Sequence, residues 1–327
     1  MGYLVGILAV SVTTAASLIL IWFLDRFEKD PLWLLALVFL WGAVPAAAAA
    51  LIFNTLFSLP LHFMFGPKAG LALTASFVAP PVEETAKGLA LLIIFFALRH
   101  RFTDVLAGII FGAMVGAGFA WVEDISYICG EFDRGAAEAM TATFVARVFI
   151  FGLGHAFLTA ITGIGFGFAR EVRSCWLGGL VVVFFFGLAI AFHFIRNFLL
   201  SFFGGPGALL YLLVHWVGLF SLLAVIVGAW VYQWKWIRGE LREEVALGNV
   251  GERDYRQVSK WFGRLGWEVR FFAALDFRGV LRIRKMFNLL VNLAFLKRSY
   301  RRRPDEDTWR RIEETRARVA LLRRRFG

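Results

Sequence analysis

The fold of this chain is decided by Pro80–Lys87, which reads PPVEETAK. The stretch places Glu83, Glu84 and Lys87 in a segment, residues 71–98, that has no other charged side chain. An ionised side chain inside a bilayer costs at least about 2.5–3.5 kcal/mol, so such residues are rare unless they have a function. On a helix, Glu83 and Lys87 share a face and are predicted to pair. Glu84 is turned about 100° away and is predicted to face a different partner.

Composition predicts a membrane protein. Hydrophobic residues make up 59% of the 327 residues, above the roughly 45–50% of globular proteins. The formal charge of +11 lies at one end, because residues 1–234 carry 11 basic and 12 acidic side chains whereas residues 235–327 carry 24 and 12. A basic segment after a membrane span is typical of a cytoplasmic anchor on anionic lipid. Since the tail shows no recognition motif for nucleic acid, we expect anionic lipid as its partner and no nucleic acid.

Seven apolar segments are long enough to cross a hydrocarbon layer of about 30 Å, which needs about 20 residues. They cover residues 3–24, 32–59, 70–98, 104–127, 141–169, 175–200 and 207–234. Pro45 predicts a kink in the second segment, and Pro80 with Pro81 predicts a break in the third. We therefore predict an all-α, polytopic membrane bundle of about seven spans over residues 1–235, and a basic, helical tail over residues 236–327.

Basic residues in the short loops set the predicted orientation. The loops after the first, third and fifth spans hold two Lys or Arg each, whereas the other loops hold one or none. By the positive-inside rule, the first group of loops and the basic tail lie in the cytoplasm. The N-terminus is then expected outside the cell membrane.

Small residues recur every four positions in two of the spans. Gly108, Gly112 and Gly116 do so in the fourth span, and Gly163 and Gly167 in the fifth. This spacing lets helix backbones approach closely. We predict that the fourth and fifth spans pack inside the bundle.

Polar residues from four spans are predicted to lie at one depth. Counting 1.5 Å per residue from the cytoplasmic end of each span places Glu83, Glu123, His155 and His193 roughly 21 to 29 Å above the inner face. Scattered structural residues have no reason to be level, so acids and imidazoles at one depth indicate a site in the outer half of the membrane. Three further side chains are interpreted as partners that neutralise or orient the carboxylates: Arg147, Arg196 and His215.

Such a set supports the activation of water. A carboxylate and an imidazole can deprotonate water directly, or hold a divalent metal that lowers its pKa. We favour Glu84, His155 and His193 as the group that holds the water or the metal, for which zinc is a candidate. Asn197 follows His193 by one helical turn and is predicted to donate an N–H to the oxyanion that forms on a carbonyl.

At these residues the chain resembles the PrsW family of intramembrane proteases, relatives of the CAAX-processing and bacteriocin-processing membrane proteases. The resemblance rests on five fragments: EETAK at residues 83–87, FAWVE at 119–123, GHA at 154–156, HFIRN at 193–197, and DRFEKDP at 25–31 after the first span. Together they cover roughly residues 20–200 in the order and spans that the family shows.

The resemblance implies cleavage of a membrane-anchored substrate, typically an anti-sigma factor, near the outer face of a bacterial plasma membrane. It implies that Glu83 and Glu84 are the essential acids, and that His155 and His193 join them around a water or a metal. Glu123 occupies the position where the CAAX-type relatives use a histidine, and an aspartate follows it where an asparagine is expected. The predicted catalytic set is Glu83, Glu84, Lys87, Glu123, His155, His193 and Asn197, with Glu84, His155 and His193 as the candidate metal ligands.

Two other functions stay open on the sequence. A proton or metal transporter or channel also places acids and histidines at one depth. It predicts polar residues that continue toward the cytoplasm, but residues 111–119 and 181–192 are apolar or small. A non-enzymatic sensor or scaffold would use the basic tail to bind a partner or lipid. We favour an intramembrane endopeptidase of the metallo or glutamate type.

Overall fold

A computed structural model of the protein describes residues 2–27, 29–133, 137–260, 277–302 and 304–326. These residues form helices joined by short loops and no β-strand, so the predicted all-α class is confirmed for them. Part of the predicted tail, residues 261–276, and Glu28 of the DRFEKDP fragment lie outside the described residues. The helices are α1 (Gly2–Leu24), α2 (Leu32–Trp41), α3 (Ala47–Leu73), α4 (Ala79–Ala97), α5 (Val105–Asp133), α6 (Ala137–Phe144), α7 (Gly154–Glu171), α8 (Cys175–Ala246), α9 (Glu252–Val258), α10 (Phe277–Arg302) and α11 (Glu306–Phe326).

Within the described residues, five helical stretches are long and apolar enough to cross a membrane. They are Tyr3–Leu24, Leu32–Ala97, Val105–Asp133, Glu138–Glu171 and Cys175–Ala246. The second and the last have 66 and 72 residues, far more than the ~20 that one crossing needs. Each of these two contains one glycine at positive φ, Gly66 at 80° and Gly204 at 54°, where the backbone leaves the helix.

The chain turns back on itself at both glycines. A Cβ built on Gly70 would lie 2.8 Å from the Cα of His62. On the other side of the second turn, a Cβ built on Gly207 would lie 2.0 Å from the carbonyl oxygen of Leu199. Only a residue without a side-chain penalty at positive φ adopts such a turn cheaply, which explains glycine at both reversals.

Three π-helical stretches interrupt the bundle helices: Gly42–Ala46, Thr74–Val78 and Val145–Ile150. The first contains Pro45, which has no N–H for the helical ladder, so a wider turn accommodates it. The second leads directly into α4, whose first positions hold Pro80 and Pro81. The predicted break in the third span is therefore a widened turn between two continuous helices.

α5 is the central helix of the bundle. Of its most apolar 18 residues 83% are buried, against 11% in α8. A Cβ on Gly108 would lie 2.1 Å from the Gly163 carbonyl oxygen, and a Cβ on Gly116 would lie 2.1 Å from the His155 carbonyl oxygen. The predicted close packing of these two spans is confirmed, and it fixes the start of α7 against α5.

The described residues form two compact units, one of residues 1–25 with 30–226, the other of residues 26–29 with 227–327. The second unit has its own apolar core, in which Leu241, Leu290 and Val319 are fully buried. The tail helices therefore pack on one another around shared apolar side chains. The division between the units falls inside α8, and the predicted functional division after residue 235 stays a prediction.

Candidate active site

α4 buries all three of its charged side chains. Glu83, Glu84 and Lys87 are 7%, 1% and 0% exposed. Lys87 Nζ lies 2.6 Å from Glu84 Oε1 and 3.2 Å from His155 Nδ1. The predicted pairing of Lys87 with Glu83 is wrong, since Lys87 pairs with Glu84. Residues three apart and four apart lie on the same face of a helix, so both glutamates are within reach of Lys87.

His193 on α8 connects the two glutamates. Its Nδ1 lies 2.8 Å from Glu84 Oε1, and its Nε2 lies 3.8 Å from Glu83 Oε2. A carboxylate can only accept a hydrogen bond, so Nδ1 of His193 carries the hydrogen and donates a hydrogen bond to Glu84. The lone pair of Nε2 then faces Glu83. In metal sites, a carboxylate that accepts a hydrogen bond from a metal-binding histidine, as Glu84 does from His193, orients the imidazole ring.

His155 is the second residue of α7, which follows the non-helical residues 151–153. Its Nε2 lies 2.6 Å from Glu123 Oε2 and 2.9 Å from Arg196 Nη1. Its ring lies 5.2 Å from the His193 ring, measured between centroids. The backbone contact at Gly116 holds this residue against α5, so packing of two spans determines where the imidazole lies.

Glu123 forms the open side of the site. Its side chain is 24% exposed, and Arg147, 2.9 Å away, is 17% exposed, whereas Glu84 and Lys87 are completely buried. Arg147 also lies 2.8 Å from Asp124 Oδ1. The site is completely buried at Lys87 and partly exposed at Glu123.

Asn197 contacts the backbone that leads into α4. Its Nδ2 donates to the carbonyl oxygen of Ala75, at 2.8 Å, in the π-helical stretch before α4. This bond uses one of its two N–H groups and ties α8 to the entrance of α4. Its predicted role as an oxyanion donor stays a prediction.

Two contacts to α4 were missed by the sequence analysis. Asn54 Nδ2 on α3 donates to Glu83 Oε1 at 3.2 Å, and Trp41 Nε1 on α2 donates to the Ala86 carbonyl at 3.0 Å. A single amide in the apolar run 51–57 was visible in the sequence, but it belongs to none of the five fragments. His215, a predicted partner, is 1% exposed, and its Cε1 would lie 3.8 Å from a Cβ built on Gly154.

The donor set fits a divalent metal. Glu83, His155 and His193 are buried and each offers one ligand atom, with all three atoms within 4.8 Å of one another. Glu83 Oε2 is buried and has no hydrogen-bond partner among the described residues. Two imidazoles and one carboxylate are a common protein ligand set of catalytic zinc. The set contains Glu83 where the sequence favoured Glu84, whose Oε1 is held by Lys87 and His193.

Comparison with known proteins decides the family. A family model described as PrsW family intramembrane metalloprotease matches residues 30–227, more than half of the chain. The chain belongs to this family. The match contains every residue of the predicted catalytic set and ends at the start of the second compact unit.

Two curated relatives are similar to the chain. Protease PrsW of Geobacillus kaustophilus (strain HTA426) is 29% identical over 166 residues, which are 50% of this chain and 67% of the relative. Protease PrsW of Clostridioides difficile (strain 630) is 34% identical over 107 residues, which are 33% of this chain and 43% of the relative. The chain thus spans about two thirds of one relative and less than half of the other. No solved structure matches it.

Family membership confirms the resemblance and the enzyme class. The family consists of hydrolases that act on peptide bonds within membranes, and the chain's long apolar helices agree with a multi-pass membrane protein. It supports the protease interpretation over the transporter and the scaffold.

Proposed function

We propose that this chain is an intramembrane endopeptidase that cuts membrane-anchored proteins near the outer face of a bacterial plasma membrane. One observation carries the proposal: in a chain of this protease family, Glu83, His155 and His193 from three different helices offer ligand atoms within 4.8 Å of one another, all buried. Anti-sigma factors are the proposed substrate class, and zinc is the proposed metal.

Glu83, His155 and His193 would hold the metal. A bound divalent metal supplies Lewis acidity at a carbonyl and a lowered pKa for water. Glu84 accepts a hydrogen bond from Nδ1 of His193, so that Nε2 of the same ring is free to coordinate a metal. Lys87 neutralises Glu84 through the ion pair of 2.6 Å between them.

Glu123 is the proposed general base. It is the most exposed acid of the site and lies 2.6 Å from His155 Nε2. A carboxylate there can accept a proton from water and pass it to the leaving amine. Arg147 and Arg196 offset the negative charge of the acids, and Asn197 has a second amide N–H for the oxyanion.

The proposed topology has seven spans. Division of the two longest helical stretches at Gly66 and Gly204 turns five stretches into seven, which supports the count. We propose the N-terminus outside, and the basic tail in the cytoplasm on anionic lipid. An impermeant thiol reagent is then expected to label Cys129 from outside intact cells and to leave Cys175 unlabelled, each measured with the other cysteine replaced by serine.

Fragment analysis of cell membranes tests the activity. Cells that carry the wild type are expected to release membrane-protein fragments that are absent from cells with Glu84→Gln. Glu138→Gln removes an exposed acid outside the site and serves as the matched control, expected to give the wild-type set. Identical fragments from wild type and Glu84→Gln would refute the proposed function.

A further inference from the structure

Asn54 reaches the site from α3, where most of the side chains around it are exposed. Its neighbours Leu51, Phe53 and Phe57 are 71%, 45% and 49% exposed. Asn54 itself is half-buried, and its Nδ2 lies 3.2 Å from Glu83 Oε1. An amide on an apolar surface helix therefore contacts a candidate metal ligand on α4.

The contact makes the two oxygens of Glu83 different. Oε1 accepts from Asn54, whereas Oε2 has no hydrogen-bond partner within the described part of the chain and lies 3.8 Å from His193 Nε2. The carboxylate can turn about its terminal bond only by losing the bond to Asn54. The amide thus fixes which oxygen is directed to the histidines.

A purely structural role would be an interhelical hydrogen bond, worth about 0.6 kcal/mol on average in a membrane bundle. Buried structural amides are normally satisfied at both ends. Among the described residues Asn54 Oδ1 is buried without a partner, so only the end that faces Glu83 is used. This asymmetry favours a role directed at Glu83.

We propose that Asn54 is a positioning residue that holds Glu83 with a single oxygen presented to the metal beside His155 and His193. The inference rests on the proposed function, since it assigns the group that orients one of the proposed ligands. Hydrogen-bond partners of metal ligands typically contribute 10- to 100-fold in metal affinity.

Cobalt binding to the purified full-length protein tests the proposal. Asn54→Leu removes the donor at similar volume and is expected to weaken Co²⁺ binding by about 10- to 100-fold, with a changed visible absorption band. Asn54→Ser keeps a hydroxyl donor and is expected to lie between Asn54→Leu and wild type. Ser11→Ala is the matched control. It removes an interhelical hydrogen bond of 3.0 Å that Trp121 Nε1 donates to Ser11 Oγ, and neither of these residues belongs to the site.

The outcomes separate this inference from the function on which it rests. Wild-type cobalt affinity and absorption in Asn54→Leu, together with loss of binding in Glu83→Gln, would show that Asn54 has no positioning role while the metal site stands. Equal weakening by Ser11→Ala and Asn54→Leu would also overturn it. A wild type that binds no cobalt and a Glu83→Gln variant that still cleaves would overturn the proposed function and this inference together.

Discussion

Two glutamates of this chain are completely buried beside a buried lysine, one in each compact unit. Glu244 of the second unit is saturated with donors. Its Oε1 lies 2.8 Å from Lys297 and 2.6 Å from Arg316, and its Oε2 accepts from Arg316 Nε at 2.9 Å and from Asn249 at 2.8 Å.

Glu84 of the membrane unit is only half satisfied. Its Oε1 accepts from Lys87 and His193, but its Oε2 is buried without a hydrogen-bond partner among the described residues, as is Oε2 of Glu83. Buried acceptors in native proteins are usually paired, and an exception needs an explanation. The difference indicates that Glu244 is buried for structure, whereas Glu83 and Glu84 keep acceptor oxygens for a ligand.

The largest effect is expected from Glu83→Gln. The amide cannot hold a metal or a water as the carboxylate does, so cleavage of a single-span model substrate should fall by about 10³-fold, within the range for loss of one catalytic acid or base. The thermal unfolding midpoint should not fall, because the amide oxygen of a glutamine can accept the hydrogen bond from Asn54 as the carboxylate does. Both are measured on purified protein, with Glu244→Gln as the matched buried glutamate.

Glu244→Gln reverses the pattern if the comparison holds. It should lower the unfolding midpoint, because two cations lose their shared carboxylate, while the folded fraction cleaves at the wild-type rate. Loss of cleavage from Glu244→Gln without unfolding, or undiminished cleavage by Glu83→Gln, would contradict the division of roles.

Gly116→Ala is expected to have the next largest effect, because it moves His155. The added Cβ would lie 2.1 Å from the His155 carbonyl oxygen, so α7 must shift, and a misplacement of about 1 Å can cost about 100-fold in rate. Gly130→Ala is the matched control on the same helix, where a Cβ meets no atom within 4 Å. Equal rates for the two variants would mean that the packing of α5 on α7 does not set the site.

The class of the fold and most of the residues that the structure brings together at the candidate site could be predicted from the sequence, because charge is costly in lipid. Each ionisable residue in an apolar span is conspicuous, so Glu83, Glu123, His155 and His193 could be found from hydropathy and depth alone. Their level in the membrane follows from a fixed rise per residue, which needs no tertiary information.

Pairing inside the site could not be predicted, because spacings of three and four share one helix face. Lys87 pairs with Glu84 and also contacts His155. The position of His155 depends on how α7 packs on α5, which the sequence does not give. Asn54 was missed for a related reason: an amide carries no charge, and its contact to Glu83 exists only because the chain reverses at Gly66. The core of the tail was missed because its apolar residues are spread over four helices.

Lys297→Met tests the structural half of the comparison and should act on stability alone. Its Nζ lies 2.8 Å from Glu244 Oε1. Removal of one partner of a buried ion pair typically costs about 3–5 kcal/mol. We expect a lower unfolding midpoint with an unchanged cleavage rate per folded molecule. An unchanged midpoint would show that the ion pairs of the second unit do not stabilise it.

The smallest effect is expected at Asp30, a buried carboxylate in the loop before α2 that belongs to neither group. Burial, then the charge of Asp25, raises the pKa of Asp30 from 3.8 to about 8, and Arg101 at 4.0 Å only partly opposes this. The folded state therefore holds a proton that the unfolded state loses, and the stability from this group declines as pH rises from about 4 to about 8. Asp30→Asn should remove that decline and raise the midpoint at pH 8 by about 2–4 °C per kcal/mol recovered, measured by thermal unfolding at pH 5 and pH 8. If the midpoint of the wild type falls no further than that of Asp30→Asn when the pH rises from 5 to 8, the prediction is wrong. Asp30 would then be ionised and stabilised by its partners, as Glu244 is.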